Sequence, residues 1–268
     1  MTIRISCPKC GKKYNAKDEM MGKTVRCKIC SGPIWIPQVG EAQIMRHEAR
    51  TRDFTLAIGD EEAIDAISRH IETHLGPIDS VFHEIISDLV HLDVHVVKPT
   101  AERPWVTFIT SGMSSLPMTV PEGREEMRFA ELIITLPEDW PLEQSVWEDE
   151  NHYWPVRWLK TLARLPHEYE TWLGFCHTVP NGDPPEPLAE STDFCGFILL
   201  PPLSAPEGFR ELQAGDEKTI HFYSIVPLYP EEMEFKVARG ADALLERFEK
   251  YEIGDVVDLG RRNTCRRK

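Results

Sequence analysis

Four cysteines near the start of the chain have the type and the spacing of a metal site. Cys7 and Cys10 form one C-x2-C pair, and Cys27 and Cys30 form a second pair after a spacer of sixteen residues. A two-residue spacing lets one tight turn direct two sulfur atoms at a single ion, and four thiolates complete a tetrahedron around it. Because protein sulfur fills all four positions, no position remains for a reacting water. The spacing therefore predicts a structural metal ion.

Zinc is the expected ion, at one per chain, and iron in a rubredoxin-like site is the alternative because four thiolates suit both metals. Disulfides are the competing interpretation. The opening residues MTIRISCPKC lack the apolar run of a secretory signal, however, so we expect a cytoplasmic protein whose thiols stay reduced. A segment this short buries little apolar surface, so ion binding and folding should be coupled.

A second group of reactive side chains lies in the middle of the chain. His91, Asp93 and His95 alternate with apolar residues, and this period of two places them on one face of a predicted strand. Glu131 and His177 could join them from neighbouring strands. Such a set could bind a metal ion or transfer protons. The favoured alternative is that these side chains hydrogen-bond one another and fix the sheet.

The elements that must hold these residues follow from hydrophobic periodicity. Alternating or fully apolar runs predict strands, and apolar residues three and four apart predict helices. The predicted strands are 81–87, 91–96, 105–110, 129–136, one near Leu173, 194–200 and 219–228. The predicted helices follow an N-cap at Asp60 and span 151–165, 231–239 and 242–251. This order predicts an α+β fold, a mixed β-sheet domain flanked by helices and preceded by a small zinc ribbon.

Charge also separates the predicted zinc ribbon from the rest of the chain. Residues 1–37 contain eight Lys or Arg and two acidic residues, whereas the remainder contains 22 basic and 42 acidic residues, a formal charge of −20. A body this acidic repels nucleic acid and anionic membranes and attracts a basic partner. We therefore predict a four-cysteine zinc ribbon at 1–37, a linker at 38–58, a main domain at 59–262 and a mobile basic tail at 263–268.

The N-terminal segment resembles the short zinc-ribbon fingers of prokaryotes. Those fingers combine a CPxC knuckle, a tyrosine and a Gly-Lys-x-Val-Arg stretch with a second CxxC, and Tyr14 and residues 22–26 match this pattern. The lysines and arginines of the segment could contact phosphates. A nucleic-acid-associated regulator that acts through the ribbon is therefore one alternative function.

The remainder of the chain resembles the suppressor-of-fused domain family, in its bacterial type. The segments that carry the resemblance are Gly112–Pro121, Phe129–Leu132, Leu136–Trp140, Tyr153–Pro155, Gly174–Pro180, Leu200–Pro202 and Val226–Met233, in this order. Two features differ from the animal members of the family. Those members carry a second, C-terminal domain that has no counterpart here, and they lack the ribbon.

The resemblance implies a non-catalytic protein-binding domain. Animal members clamp an extended peptide strand of a transcription factor, and bacterial members include immunity proteins that neutralise toxins. The leading interpretation is an immunity or adaptor protein that sequesters a protein partner, which the acidic domain predicts to be basic. Asp93, His95, Glu131 and His177 are the candidate partner-binding residues. The enzymatic alternative is a metal-dependent hydrolase that uses His91, Asp93 and His95.

Overall fold

The computed structural model describes residues 2–7, 9–10, 12–17, 20, 23–36, 44–47, 55–57, 59–84, 87–215 and 218–266. The chain forms two compact units, Met1–Met45 and Arg46–Lys268. Most of the predicted linker and the last two residues of the predicted tail lie outside the described residues. No helix in the described part of the chain is long and apolar enough to cross a membrane.

The first unit consists of two antiparallel hairpins. Strand β1 (Thr2–Ser6) pairs with β2 (Lys13–Lys17), and β3 (Thr24–Arg26) pairs with β4 (Pro33–Trp35). The turn of each hairpin carries one cysteine pair. At the start of each turn the cysteine N–H donates to a carbonyl across the turn: Cys7 to Lys12 and Cys27 to Gly32, both at 2.8 Å.

The second unit is built on one large β-sheet. Its strands are β5 (Ile78–Phe82), β6 (Asp93–Val97), β7 (Trp105–Ser111), β8 (Phe129–Pro137), β9 (Thr178–Pro180), β10 (Gly196–Leu200), β11 (Glu211–Gln213) and β12 (Thr219–Leu228). The eight strands follow the order β5-β6-β7-β8-β12-β10-β9, with β11 beside β12. Strands β8 and β12 run parallel, whereas the other described neighbours run antiparallel.

Helices cover both faces of this sheet. They are α1 (Glu61–His74), α2 (Glu150–Glu168), α3 (Pro230–Arg239) and α4 (Ala241–Lys250). Leu132 and Ile225 pack with α2 in one buried cluster. The next residues along each strand point to the opposite face, where Ile133 packs with α1 and Val226 packs with α3 and α4. The predicted α+β class, a mixed sheet flanked by helices, is confirmed.

Helix α1 begins as predicted, whereas α2 begins earlier than predicted. The Asp60 carboxylate caps α1 by accepting from Ala63 N at 3.2 Å. For α2 the cap is Asp149, which accepts from Asn151 N at 2.9 Å, so the helix starts at Glu150. Pro155 therefore lies in the second turn of α2.

Two strand predictions need correction. The strand expected at 81–87 is β5, which ends at Phe82, and residues 85–86 lie outside the described part of the chain. The strand expected near Leu173 is wrong, because β9 begins at Thr178. Cys176 has a φ of 64°, and this left-handed conformation interrupts an extended backbone immediately before β9.

Residues 261–265 pack against the sheet domain, although the basic composition of 263–268 predicts a mobile tail. Thr264 is buried, and its N–H and hydroxyl donate to Glu232 Oε1 at 3.0 and 2.9 Å. Arg261 forms two hydrogen bonds to the same carboxylate, at 2.8 and 2.6 Å. Its guanidinium also lies 4.8 Å from the ring centre of Tyr229. The chain end thus binds the buried carboxylate of Glu232, because a buried negative charge is stable only with a positive charge and hydrogen-bond donors beside it.

Candidate functional site

The four cysteines of the first unit form one compact cluster. Their sulfur atoms all lie within 4.8 Å of one another. Cys7 Sγ lies 3.5 Å from Cys30 Sγ, and Cys10 Sγ lies 3.5 Å from Cys27 Sγ, so the closest pairs join the two hairpins. Within the described residues, this is the group of His, Cys, Asp or Glu side chains that converges closely enough to hold a metal ion. Four thiolates in this arrangement suit zinc or iron.

Asp93 and His95 are buried on β6 and point to the face of the sheet that carries α1. The His95 ring bonds across the sheet, with Nε2 2.8 Å from Ser111 Oγ on β7. Burial lowers the pKa of His95 to about 4, so the ring is neutral at physiological pH. Asp93 Oδ1 lies 3.1 Å from His83 Nδ1 and 3.5 Å from His91 Nε2.

A chain of polar contacts ties His91 to helix α2. Its Nδ1 lies 3.0 Å from the hydroxyl of Ser87, which also donates to Glu84 Oε2 at 2.8 Å. Glu84 is paired in turn with Arg164 and, at 3.6 Å, with Lys160. Burial alone would raise the pKa of Glu84, but Arg164 and Ser87 hold it below its ordinary value. These contacts engage the polar row, that is His91, Asp93 and His95, within the domain.

Sequence reasoning did not find His83, Glu84 and Ser87. The segment that contains them reads as a strand, and no local spacing connects it with the distant partners. Glu84 and Arg164 are 80 residues apart in the chain. The only available signal was composition: a His, a Glu and a Ser in an otherwise apolar run.

Glu131 lies inside the domain, where it accepts hydrogen bonds from one loop and one strand. Oε1 accepts from Gly112 N at 3.0 Å, from Ser114 N at 2.9 Å and from Ser114 Oγ at 2.6 Å. Oε2 accepts from Thr110 Oγ1 at 2.6 Å. Burial raises the pKa of Glu131 in spite of these donors. Glu131 therefore holds the loop that follows β7 and has no exposed surface.

The conformation of this loop requires the glycine at position 112. Its φ of 111° is a conformation that side-chain-bearing residues rarely adopt, and a Cβ at this position would lie 1.8 Å from His91 O. The loop can therefore approach both Glu131 and the backbone of His91 only with glycine here.

The structure does not bring His177 to the row. His177 precedes β9 at one edge of the sheet, whereas His91 precedes β6 near the other edge. The His177 ring lies 4.3 Å from the ring of Trp172. Burial, followed by the charge of Lys236, lowers the pKa of His177 to about 4. The expectation that His177 joins His91, Asp93 and His95 is wrong, because the two edges are separated by the width of the sheet.

Comparison with known protein families identifies the family to which the second unit is similar. A family model described as Suppressor of fused protein (SUFU) matches residues 88–262. This match covers more than half of the chain. The chain belongs to the suppressor of fused family. The SUFU match includes the polar row, the loop at Gly112 and Glu131, and it leaves the cysteine cluster outside.

Solved SUFU structures share the fold. A suppressor of fused homologue from Neisseria gonorrhoeae superposes with a TM-score of 0.56 at 16% identity, covering 78% of this chain and 98% of the homologue. A structure described as the Sufu–Fu complex superposes with a TM-score of 0.51 at 15% identity, covering 78% of this chain and 93% of the other. No curated protein sequence matches the chain.

Proposed function

We propose that this chain is a non-catalytic protein-binding module, an immunity or adaptor protein that sequesters a basic partner in the cytoplasm. Membership of the SUFU family carries the proposal, because the match spans 88–262 and so covers most of the large unit. A SUFU relative of the same fold is described in complex with Fu, a second protein. A toxin or a transcription factor, both commonly basic, would suit the acidic charge of the domain.

The polar row supports a binding role better than a hydrolytic one. His91 contacts Ser87 and Asp93, and His95 contacts Ser111, so these groups are occupied inside the domain. Within the described residues, the metal-compatible group is the cysteine cluster and not this row. Contact of a partner with Asp93, His95, Glu131 and His177 stays a prediction. The first three are buried, which supports a role in holding such a surface rather than in forming it.

We also propose the division of the chain into a zinc ribbon at 1–37, a linker at 38–58, the SUFU domain at 59–262 and a basic end at 263–268. The ribbon would hold one structural Zn²⁺ through Cys7, Cys10, Cys27 and Cys30. The ion would supply the stability that the small apolar core of the first unit does not provide.

The partner proposal predicts a salt-sensitive complex with a basic protein encoded beside this gene. The full chain and the product of the neighbouring gene should co-purify at equal stoichiometry, and the chain should inhibit the toxicity or the DNA binding of that product. Affinity measured by isothermal titration calorimetry should fall about tenfold or more between low and physiological ionic strength, because opposite charges attract across the interface.

Two outcomes would contradict this proposal. The first is no binding to the neighbouring product even at low ionic strength. The second is salt-dependent binding of the chain to DNA or RNA that requires the ribbon lysines, which would favour the nucleic-acid alternative. An acidic protein of similar size is the control and should not bind.

Replacing a cluster cysteine should remove the metal and unfold only the ribbon. The wild-type chain should carry one zinc per chain by elemental analysis, and Cys7→Ser should carry none, because three thiolates bind the ion far more weakly. Cys265→Ser is the matched control and should keep one zinc. In Cys7→Ser, the amides of residues 12–17 and 23–36 should lose their protection from exchange, and those of the SUFU domain should keep it. One zinc per chain in Cys7→Ser would contradict the assignment.

A further inference from the structure

The hydroxyl of Tyr14 touches both the backbone and a sulfur atom of the cysteine cluster. We infer that Tyr14 is a positioning residue of the metal centre, which donates its only proton to Cys27 Sγ and thereby sets the affinity of the site. The inference rests on the metal site proposed above and adds a fifth residue to it.

The direction of the hydrogen bond follows from the donors available. Tyr14 Oη lies 3.1 Å from Cys27 Sγ, and Lys28 N donates to the same oxygen at 3.2 Å. A backbone N–H can only donate, so the tyrosine oxygen is the acceptor in that contact. A metal-bound cysteine is a thiolate without a proton to give. The proton between Tyr14 and Cys27 must therefore come from the tyrosine.

Cys27 is one of the ligands that need such a donor. Cys27 and Cys7 are buried, whereas Cys10 is exposed, so water can stabilise the charge on Cys10 Sγ and has little access to Cys27 Sγ. Ile29 N also approaches Cys27 Sγ, at 3.4 Å. Four thiolates around one divalent ion leave an excess of negative charge, and donors to sulfur stabilise that charge. Two donors on one buried sulfur replace the water that is missing there.

The contact also joins the two hairpins of the ribbon. Tyr14 lies on β2, in the first hairpin, whereas Cys27 and Lys28 lie in the turn of the second. The Tyr14 hydroxyl therefore fixes the second cysteine pair relative to the first. Lys28 is exposed, so water can replace Tyr14 as the acceptor for its N–H. Loss of the hydroxyl should act mainly on the sulfur.

Tyr14→Phe in the full chain tests the inference, because it removes the hydroxyl and keeps the ring. Competition with a chelator of known affinity should show zinc binding about 10- to 100-fold weaker than in the wild type, with the stoichiometry still one. In the cobalt-loaded protein, the sulfur-to-cobalt charge-transfer band should move to lower energy, because a sulfur that accepts no hydrogen bond releases charge more easily. Loss of packing alone would not move this band.

The control is Tyr251→Phe, which removes a tyrosine hydroxyl from the SUFU domain and should leave both readouts unchanged. If Tyr14→Phe binds no metal, replacement of Tyr14 by 4-aminophenylalanine must restore binding, because the amine supplies a donor at the same place. Wild-type affinity and an unshifted band in Tyr14→Phe would overturn the inference, as would failure of the amine to restore binding. A wild-type chain that binds neither zinc nor cobalt would overturn the metal site itself.

Discussion

Replacing Arg261 with methionine is expected to lower the free energy of unfolding of the SUFU domain by about 3–5 kcal/mol. The Glu232 carboxylate has no exposed surface and takes both of its charged hydrogen bonds from Arg261. Methionine would leave this charge buried and uncompensated, and it would remove the guanidinium from the ring of Tyr229. Equilibrium unfolding in urea, followed by tryptophan fluorescence, measures the change.

The double variant Arg261→Met, Glu232→Leu separates the ion pair from packing. It should regain part of the lost stability, because removing both charges avoids an isolated buried charge. Arg69→Met, at an exposed position of α1, is the matched control and should change stability by less than about 0.5 kcal/mol. A loss below about 1 kcal/mol in Arg261→Met would show that Glu232 is neutral or solvated.

The same pair predicts how stability depends on pH. Burial alone would raise the pKa of Glu232, but Arg261 holds it below the ordinary value of 4.5. A depressed carboxyl pKa contributes stability that is present above the unfolded pKa and is lost as pH falls below it. The wild type should therefore lose stability on acidification below about pH 4.5 through this group, and the double variant should lose less.

Glu131→Leu is expected to destabilise the domain by about 3 kcal/mol, because it leaves the N–H groups of Gly112 and Ser114 buried without an acceptor. Removing a buried carboxyl whose pKa is raised by burial offsets part of this cost. Urea unfolding gives the total, and amide hydrogen exchange at Gly112 and Ser114 reports the loop directly.

Glu131→Gln is the matched variant, because its amide oxygen can still accept from the loop. We expect a loss of about 1 kcal/mol, with exchange at Gly112 and Ser114 close to that of the wild type. Equal losses in the leucine and glutamine variants would mean that the carboxylate charge, and not its role as an acceptor, holds the loop.

Local spacing predicted the elements of the fold, but it could not predict the contacts between distant elements. The alternation in 129–136 predicted β8, and the Asp60 cap predicted the start of α1, since both depend on neighbours within a few residues. The insertion of β12 between β8 and β10 depends on which apolar edges meet in space, and the sequence carries no local sign of it.

The candidate site divides in the same way. The cysteine cluster follows from two C-x2-C turns, which are local, so the spacing alone predicted its four members. Period-two spacing placed Asp93 and His95 on one face of the strand correctly, but it could not identify His83 and Ser111 as their partners. It also could not identify Ser87 as the partner of His91. The chain end was predicted to be mobile because basic residues are usually solvated. In the structure, Arg261 donates hydrogen bonds to a buried carboxylate 29 residues earlier.

The position of β12 in the sheet has a consequence for synthesis on the ribosome. β12 lies between β8 and β10 but is made after both of them. Until it emerges, β8 and β10 each present an unpaired edge composed of residues that are buried in the finished sheet. Unpaired apolar edges readily pair with other chains. A chain truncated between residues 200 and 219 and released from the ribosome exposes both edges without β12 and should therefore aggregate.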